Sequence, residues 1–518
     1  MRRLSLLAFS GLFLINCNCE STKQKGEEAA SGGESVKAVD LLDHLPPKDL
    51  GFLVHIPKLG QSLAGLGRHA GIVLDALGDK SESFSALKQQ LGFNPMVPTE
   101  LSAAGIKADG AFVIWGGAPA GDETWQPHIV FEVSDEDALI KTVTALAKRE
   151  AALQMEPAQV VDEGKWYGLF RTFGKKKEPQ GGLLLRKDPA MAILTAVDLP
   201  SLQAFLKVKG AVNDHPEWLR FRKRSTEPAD ATVLITTLGA GRAMAEQASV
   251  ANLKVMPYLI KMGFESSRFW VSSHQIMDGQ TVALTKMLQP EPPMVPAPPQ
   301  GAVLAAAGSL DLGETSKQLM RHPLVGGQMA QLDTTALNEV FAALGSTYRV
   351  YLGLSGEPGS NPMILLGQSY FGLDVIGKDP SSLRGLLPQL AEKAGLAPGQ
   401  LVPTDKGYSV QTPAGMPVEI ELNSGEKRLS IRFGNGANGS EKLTGVKSQL
   451  TLPKGTLSTF YLDLTRLGKV ATTLQGVETP MKSVMAPAAK ILSNWSYLLV
   501  DQRLDKDYHV QTLQIGLP

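Results

Sequence analysis

The sequence predicts an α+β fold: two related halves from an internal duplication, each a mostly antiparallel sheet packed by helices. Three observations carry this expectation. Apolar strand-like runs lead straight into amphipathic helix starts at four places, paired strands close each half, and a proline-rich stretch separates two segments whose motifs recur in the same order.

Composition excludes several function classes. The 518 residues suffice for two to four domains with sizeable cores. Lys+Arg and Asp+Glu both number 51, so the formal net charge is zero and no nucleic-acid partner is expected. Both cysteines, Cys17 and Cys19, stand near the start, so the body has no thiol for a disulfide, a zinc cluster or a nucleophile. Gly and Pro, 52 and 33, make about one residue in six and announce many turns.

The opening segment, "MRRLSLLAFSGLFLINCNCE", has Arg2 and Arg3 followed by an apolar run from Leu4 to Ile15. That run is too short to span a bilayer and suits a signal-peptide core, here residues 1–16. Leu14-Ile15-Asn16-Cys17 resembles the lipobox of bacterial lipoproteins, although Asn16 departs from its small-residue slot. The resemblance implies diacylglycerol on the Cys17 sulfur and, with Asn18 after it, sorting that favours the outer membrane, on its periplasmic face or its surface. Residues 17–39 are polar and small after the cysteine and read as a tether, about 25 Å on average for 20 flexible residues.

The body then divides into 40–288, a linker at 289–299 that includes the six prolines of "PEPPMVPAPP", and 300–518. Four copies of one unit run proline, apolar strand, glycine turn, helix. Their glycines, Gly60, Gly241, Gly313 and Gly468, follow Pro47, Pro228, Pro299 and Pro453. Asp135 and Asp379 are expected helix N-caps, with Leu139, Val143 and Leu146 on one face of the first helix. Near the ends of the halves, strand pairs are expected about Asp278-Gly279 and Lys506-Asp507. These repeated units resemble an uncharacterised family of bacterial envelope proteins carried behind a signal or anchor. The resemblance brings no activity or catalytic residues.

Motifs for chemistry are few. Gly434-Asn435-Gly436-Ala437-Asn438-Gly439 matches a dinucleotide string, but "SEKLTGVKSQLTLPKGT" after it is a poor helix, and Asp463 falls inside a later strand, so a loop tip is expected. "TTLGAGRAMAEQ" lacks the third glycine and reads as a structural turn. The eight histidines have no metal-ligand spacing, and no nucleophile elbow or phosphate loop occurs. Glu419 and Glu421 are expected on a solvated strand face. Two basic clusters stand out, Lys175–Lys177 and "RFRKR". Arg220, Arg222, Lys223 and Arg224 are the candidate contacts for an anionic surface such as phospholipid headgroups or lipopolysaccharide, with a solvated surface as the plainer reading.

The expectation from these residues is a non-enzymatic, lipid-anchored envelope protein with a binding or scaffolding role. It needs no cofactor or metal, and its partners are the membrane through the anchor and an envelope protein or lipid. Two alternatives stay open: a carrier of a lipid or other apolar ligand between the halves, and an envelope hydrolase whose groups converge only in space.

Overall fold

The computed structural model describes residues 40–77, 80–117, 126–151, 153–173, 176–225, 227–243, 256–290, 301–321, 339–341, 343–355, 362–393, 395–397, 399–411, 417–434, 456–474 and 482–517. The signal segment 1–16, Cys17, the tether, most of the 289–299 linker, Lys175, and Gly436 and Gly439 lie outside them. Contacts divide the chain into two compact units, one ending at Gln275 and the other starting at Ile276.

In the first unit the strands are β1 (Leu50–Ile56), β2 (Phe112–Gly117), β3 (Gln126–Glu132), β4 (Leu153–Met155), β5 (Gln159–Val161), β6 (Gly164–Phe173), β7 (Lys176–Lys187), β8 (Ala190–Thr195), β9 (Ala231–Ile235), β10 (Tyr258–Phe264) and β11 (Arg268–Ile276). They pair in the order β11–β10–β9–β1–β2–β3–β8–β7–β6, with β4 and β5 both on the outer edge of β6. Its helices are α1 (Leu59–Leu77), α2 (Lys80–Leu91), α3 (Pro98–Ala103), α4 (Glu136–Ala151), α5 (Leu199–Leu206), α6 (Pro216–Arg224) and α7 (Thr237–Ala243).

The second unit contains β12 (Ala302–Ser309), β13 (Thr347–Leu354), β14 (Ser369–Ile376), β15 (Leu401–Pro403), β16 (Gly407–Gln411), β17 (Pro417–Asn423), β18 (Arg428–Phe433), β19 (Thr456–Asp463), β20 (Tyr497–Asp505) and β21 (Tyr508–Gly516). Their order is β21–β20–β19–β12–β13–β14–β18–β17–β16–β15. Its helices are α8 (Gly279–Leu288), α9 (Leu312–Arg321), α10 (Pro362–Gln368), α11 (Leu383–Lys393), α12 (Leu464–Leu474) and α13 (Lys482–Ser493).

The expected α+β class is therefore corrected. Twenty-one strands, antiparallel in every pairing given above, dominate the described residues, and the fold is predominantly antiparallel β with helices as connections and covers. The helix starts drew the sequence reading toward a mixed class, while short strands such as β4, β5 and β15 carry little period of their own. The same order of connections runs through both units. That is a fact of connectivity, and a duplication is not shown by it.

Alternation along the strands sorts the first unit's sheet into two faces. Val54, Ile56, Ile114 and Val233 pack with Leu59 and Leu63 of α1 and Leu101 of α3. Farther along the same face, Phe131, Leu183, Leu185 and Ala192 meet Leu139 of α4. Asp135 caps α4 by accepting from Ala138 N at 3.0 Å, and Asp379 accepts from Ser381 N at 3.0 Å ahead of α11. In the second unit, Val375, Leu422 and Leu429 form the corresponding core against Leu383.

Two local expectations are revised. Asp278-Gly279 does not turn a hairpin; the Asp278 carboxylate accepts from Thr281 N at 2.8 Å and caps α8. Gly60, Gly241, Gly313 and Gly468 lie within helices, not in turns before them. A Cβ on Gly60 would lie 3.0 Å from Ala108 O, and one on Gly468 3.1 Å from Ser493 N, so close packing accounts for two of the four.

A recurrent device joins the strands: glycine directly opposite an aromatic ring. The register pairs are Phe52–Gly116, Trp270–Gly263, Tyr370–Gly353, Tyr351–Gly372 and Tyr497–Gly516. In each, an added Cβ would fall within 2.5 Å of the ring. The ring covers backbone that glycine leaves bare, which offsets glycine's poor strand propensity.

Candidate functional site

The other face of the first unit's sheet carries a polar row. His55 on β1 stands opposite Thr232 on β9, Thr232 opposite Lys261 on β10, and Lys261 opposite Ser272 on β11. Direct opposition places all four side chains on one face. Residues 40–46 and 199–225 cover parts of this face. Trp115 Nε1 donates to Pro46 O at 3.0 Å, Phe205 stacks on His128 at 4.6 Å, and Trp218 meets His55 edge to face at 6.3 Å.

A cavity of about 200 Å³ lies under this cover, between the His55–Lys261 row and α6. Asn213 organises its wall. Its Oδ1 accepts from Trp218 Nε1 at 3.1 Å and Arg222 Nη1 at 3.2 Å, while its Nδ2 donates to Asp40 Oδ2 at 2.9 Å and Asp43 Oδ1 at 2.7 Å. All four of its hydrogen-bonding sites are thus filled, which fixes Trp218 and Arg222.

Lys261 forms part of the lining and is only 5% exposed. Its Nζ donates to Ser225 Oγ at 2.9 Å and to the Glu227 carbonyl. Both acceptors are neutral, and Lys261 has no ion-pair partner among the described residues. Burial lowers its pKa, opposed by the charge of Glu227, whose carboxylate lies 3.9 Å from Arg268 instead. His55, partly buried, has no hydrogen-bond partner among the described residues. Burial also lowers its pKa, with Asp40 acting against and Arg222 adding to the shift.

The four predicted contact residues lie on α6. Trp218 and Phe221 are buried beneath them, 8% and 0% exposed, while Arg220, Arg222, Lys223 and Arg224 face outward. Arg222, Lys223 and Arg224 occupy the last turn, where cations also complement the helix dipole. Arg222 alone lines the cavity. Of the other cluster, Lys177 pairs with Glu156 at 3.3 Å and lies 4.3 Å over the Phe170 ring.

Sequence reasoning missed Lys261. Its signal was a single lysine inside the apolar run "PYLIKMGF". Glu421 also departs from expectation: it is 19% exposed, with Arg432 at 3.6 Å and Arg428 at 3.9 Å, rather than on a solvated strand face. Among the described residues no group of three or more metal-ligating side chains occurs, and no helix is long and apolar enough to cross a membrane. Gly434 ends β18 with φ +119°, and a Cβ there would lie 2.7 Å from Ser369 O, so this first glycine of the string serves the strand end. No protein-family model matches the chain, and no curated protein matches its sequence.

Proposed function

We propose that this chain is a lipid-anchored bacterial envelope protein that acts by binding, with Cys17 as the anchored residue, the outer membrane as its favoured address, and the cationic face of α6 as a contact for anionic headgroups. The observation that carries the reading is the exposed set Arg220, Arg222, Lys223 and Arg224, mounted on a helix fixed by buried Trp218 and Phe221. Each lysine or arginine near an anionic membrane surface contributes on the order of 1 kcal/mol, falling off within a Debye length. A helix held this way presents its charges without the ordering cost of a flexible tail.

Two measurements test the reading. Fatty-acid labelling in bacterial cells should be lost in Cys17→Ser; undiminished labelling removes the anchor. The Cys17→Ser chain should co-sediment with phosphatidylglycerol-containing vesicles and not with purely zwitterionic ones. Replacing Arg220, Lys223 and Arg224 with Gln should abolish that difference, and full retention of it overturns the surface assignment.

A further inference from the structure

We propose that the cavity between α6 and the His55–Thr232–Lys261 row binds one phosphate group, a phosphomonoester or inorganic phosphate, between Lys261 and Arg222. The inference extends the anionic-surface reading above from a diffuse contact to a specific site.

Lys261 is a buried charge with no ion-pair partner among the described residues. Buried ammonium groups are ordinarily paired, because leaving water is costly for an ion held only by neutral partners. Lys261 is 95% buried, lines a cavity, and has only Ser225 Oγ and a carbonyl oxygen as acceptors. An ammonium has three N–H donors, so one remains beyond those two. The lining carboxylates are committed elsewhere. Asp40 accepts from Leu42 N at 3.1 Å and from Asn213, and Glu227 lies toward Arg268. Asp40 and Glu227 thus line the cavity without forming an ion pair with Lys261.

A second cation reaches the same space from the opposite wall. Arg222 uses one N–H on Asn213 Oδ1 and has no ion-pair partner among the described residues. Its guanidinium keeps further donors in a rigid fork suited to oxyanions. Two cations from two walls favour a dianion with oxygens in several directions, which a phosphate monoester provides and a carboxylate does not. His55 adds a ring nitrogen able to bond a phosphate oxygen. The arrangement is a binding site, with no bond made or broken.

Calorimetric titration of the full chain carrying Cys17→Ser tests the site, with inorganic phosphate and glycerol phosphate as probes at constant ionic strength. Saturable one-site binding is expected. Lys261→Met should weaken it about thirtyfold or more, the scale of losing a buried hydrogen-bonded charge. Arg222→Gln, on an exposed position that leaves the fold intact, should weaken it about tenfold, or one factor of ten in Kd. Vesicles containing phosphatidic acid identify the source: preference over phosphatidylglycerol vesicles that is lost in Lys261→Met assigns a lipid headgroup, and binding of the soluble probes alone assigns a soluble phosphate.

No saturable uptake by the unsubstituted pocket, or uptake unchanged by both substitutions, overturns the site. Phosphate binding that persists while phosphatidylglycerol vesicle binding is absent overturns the surface reading and leaves the pocket standing. Vesicle binding without phosphate binding does the reverse.

Discussion

Arg349 and Asp374 face each other across the β13–β14 pair, and the guanidinium Nε donates to Asp374 Oδ2 at 2.9 Å. Ser430 Oγ donates to the other carboxylate oxygen at 2.7 Å, and the Asp374 side chain is 2% exposed. Removing one partner of such a pair strands a buried charge and should cost about 3–5 kcal/mol. Asp374→Ala is therefore expected to lower the denaturation midpoint of the second unit sharply. The double substitution Arg349→Met, Asp374→Leu should recover most of the loss, and a double-substitution cycle by chemical denaturation checks both.

His128 gives the first unit a dependence on pH. It is 3% exposed, stacked on Phe205, and 2.8 Å from Thr195 Oγ1 through Nδ1. Burial pushes its pKa down to about 4 from 6.5. The folded state thus binds the proton more weakly than the unfolded chain. The contribution is fully present above pH about 6.5 and is lost as pH falls toward 4, by up to about 3 kcal/mol from this residue. His128→Gln should flatten that slope in urea titrations at successive pH values, whatever it does to stability at neutral pH.

The Tyr370 hydroxyl is buried without a hydrogen-bond partner among the described residues, and burial pushes its pKa up to about 12. An orphaned buried hydroxyl costs about 1–3 kcal/mol in desolvation. Tyr370→Phe keeps the ring against Gly353 and removes the orphan, so the thermal midpoint should rise or stay level. A clear fall would show that the hydroxyl has a partner in solution.

Gly372 is expected to resist a methyl group. An added Cβ would lie 2.2 Å from Tyr351 Cζ, and Tyr351 is only 4% exposed. Overpacking of this kind costs about 1–3 kcal/mol. Gly385→Ala on α11, where nothing lies within 4 Å, should instead gain up to about 1 kcal/mol from helix propensity. Comparing the two by denaturation separates crowding from backbone entropy.

Local signals made part of this molecule readable. The β20–β21 hairpin about Lys506-Asp507 follows from alternating residues on both sides, with Lys506 at φ 58° in the turn. Asp135 and Asp379 cap as their spacing indicates. Asp278 misled because aspartate before glycine serves both a hairpin turn and a helix cap, and only the bond from Thr281 N distinguishes them. The cavity was beyond reach for a different reason. A lysine at alternate positions of a strand ordinarily lies in water; Lys261 is buried because β9 and β11 pair beside it and Ser225 and Glu227 close over its head. Those neighbours come from about 35 residues upstream for the cover, a relation no local pattern encodes.

The glycine–aromatic pairs have a spectroscopic consequence. A ring laid against Gly353, Gly372 or Gly516 holds the α-proton that points along the added-Cβ direction against its π electrons, where it is shielded. Its resonance should move upfield, away from the crowded glycine region, and become a magnetic marker of strand register. A slip of one residue would turn the ring to the opposite face of the sheet and return the α-proton to an ordinary shift. The second unit thus contains its own gauge of correct pairing, readable without an added label.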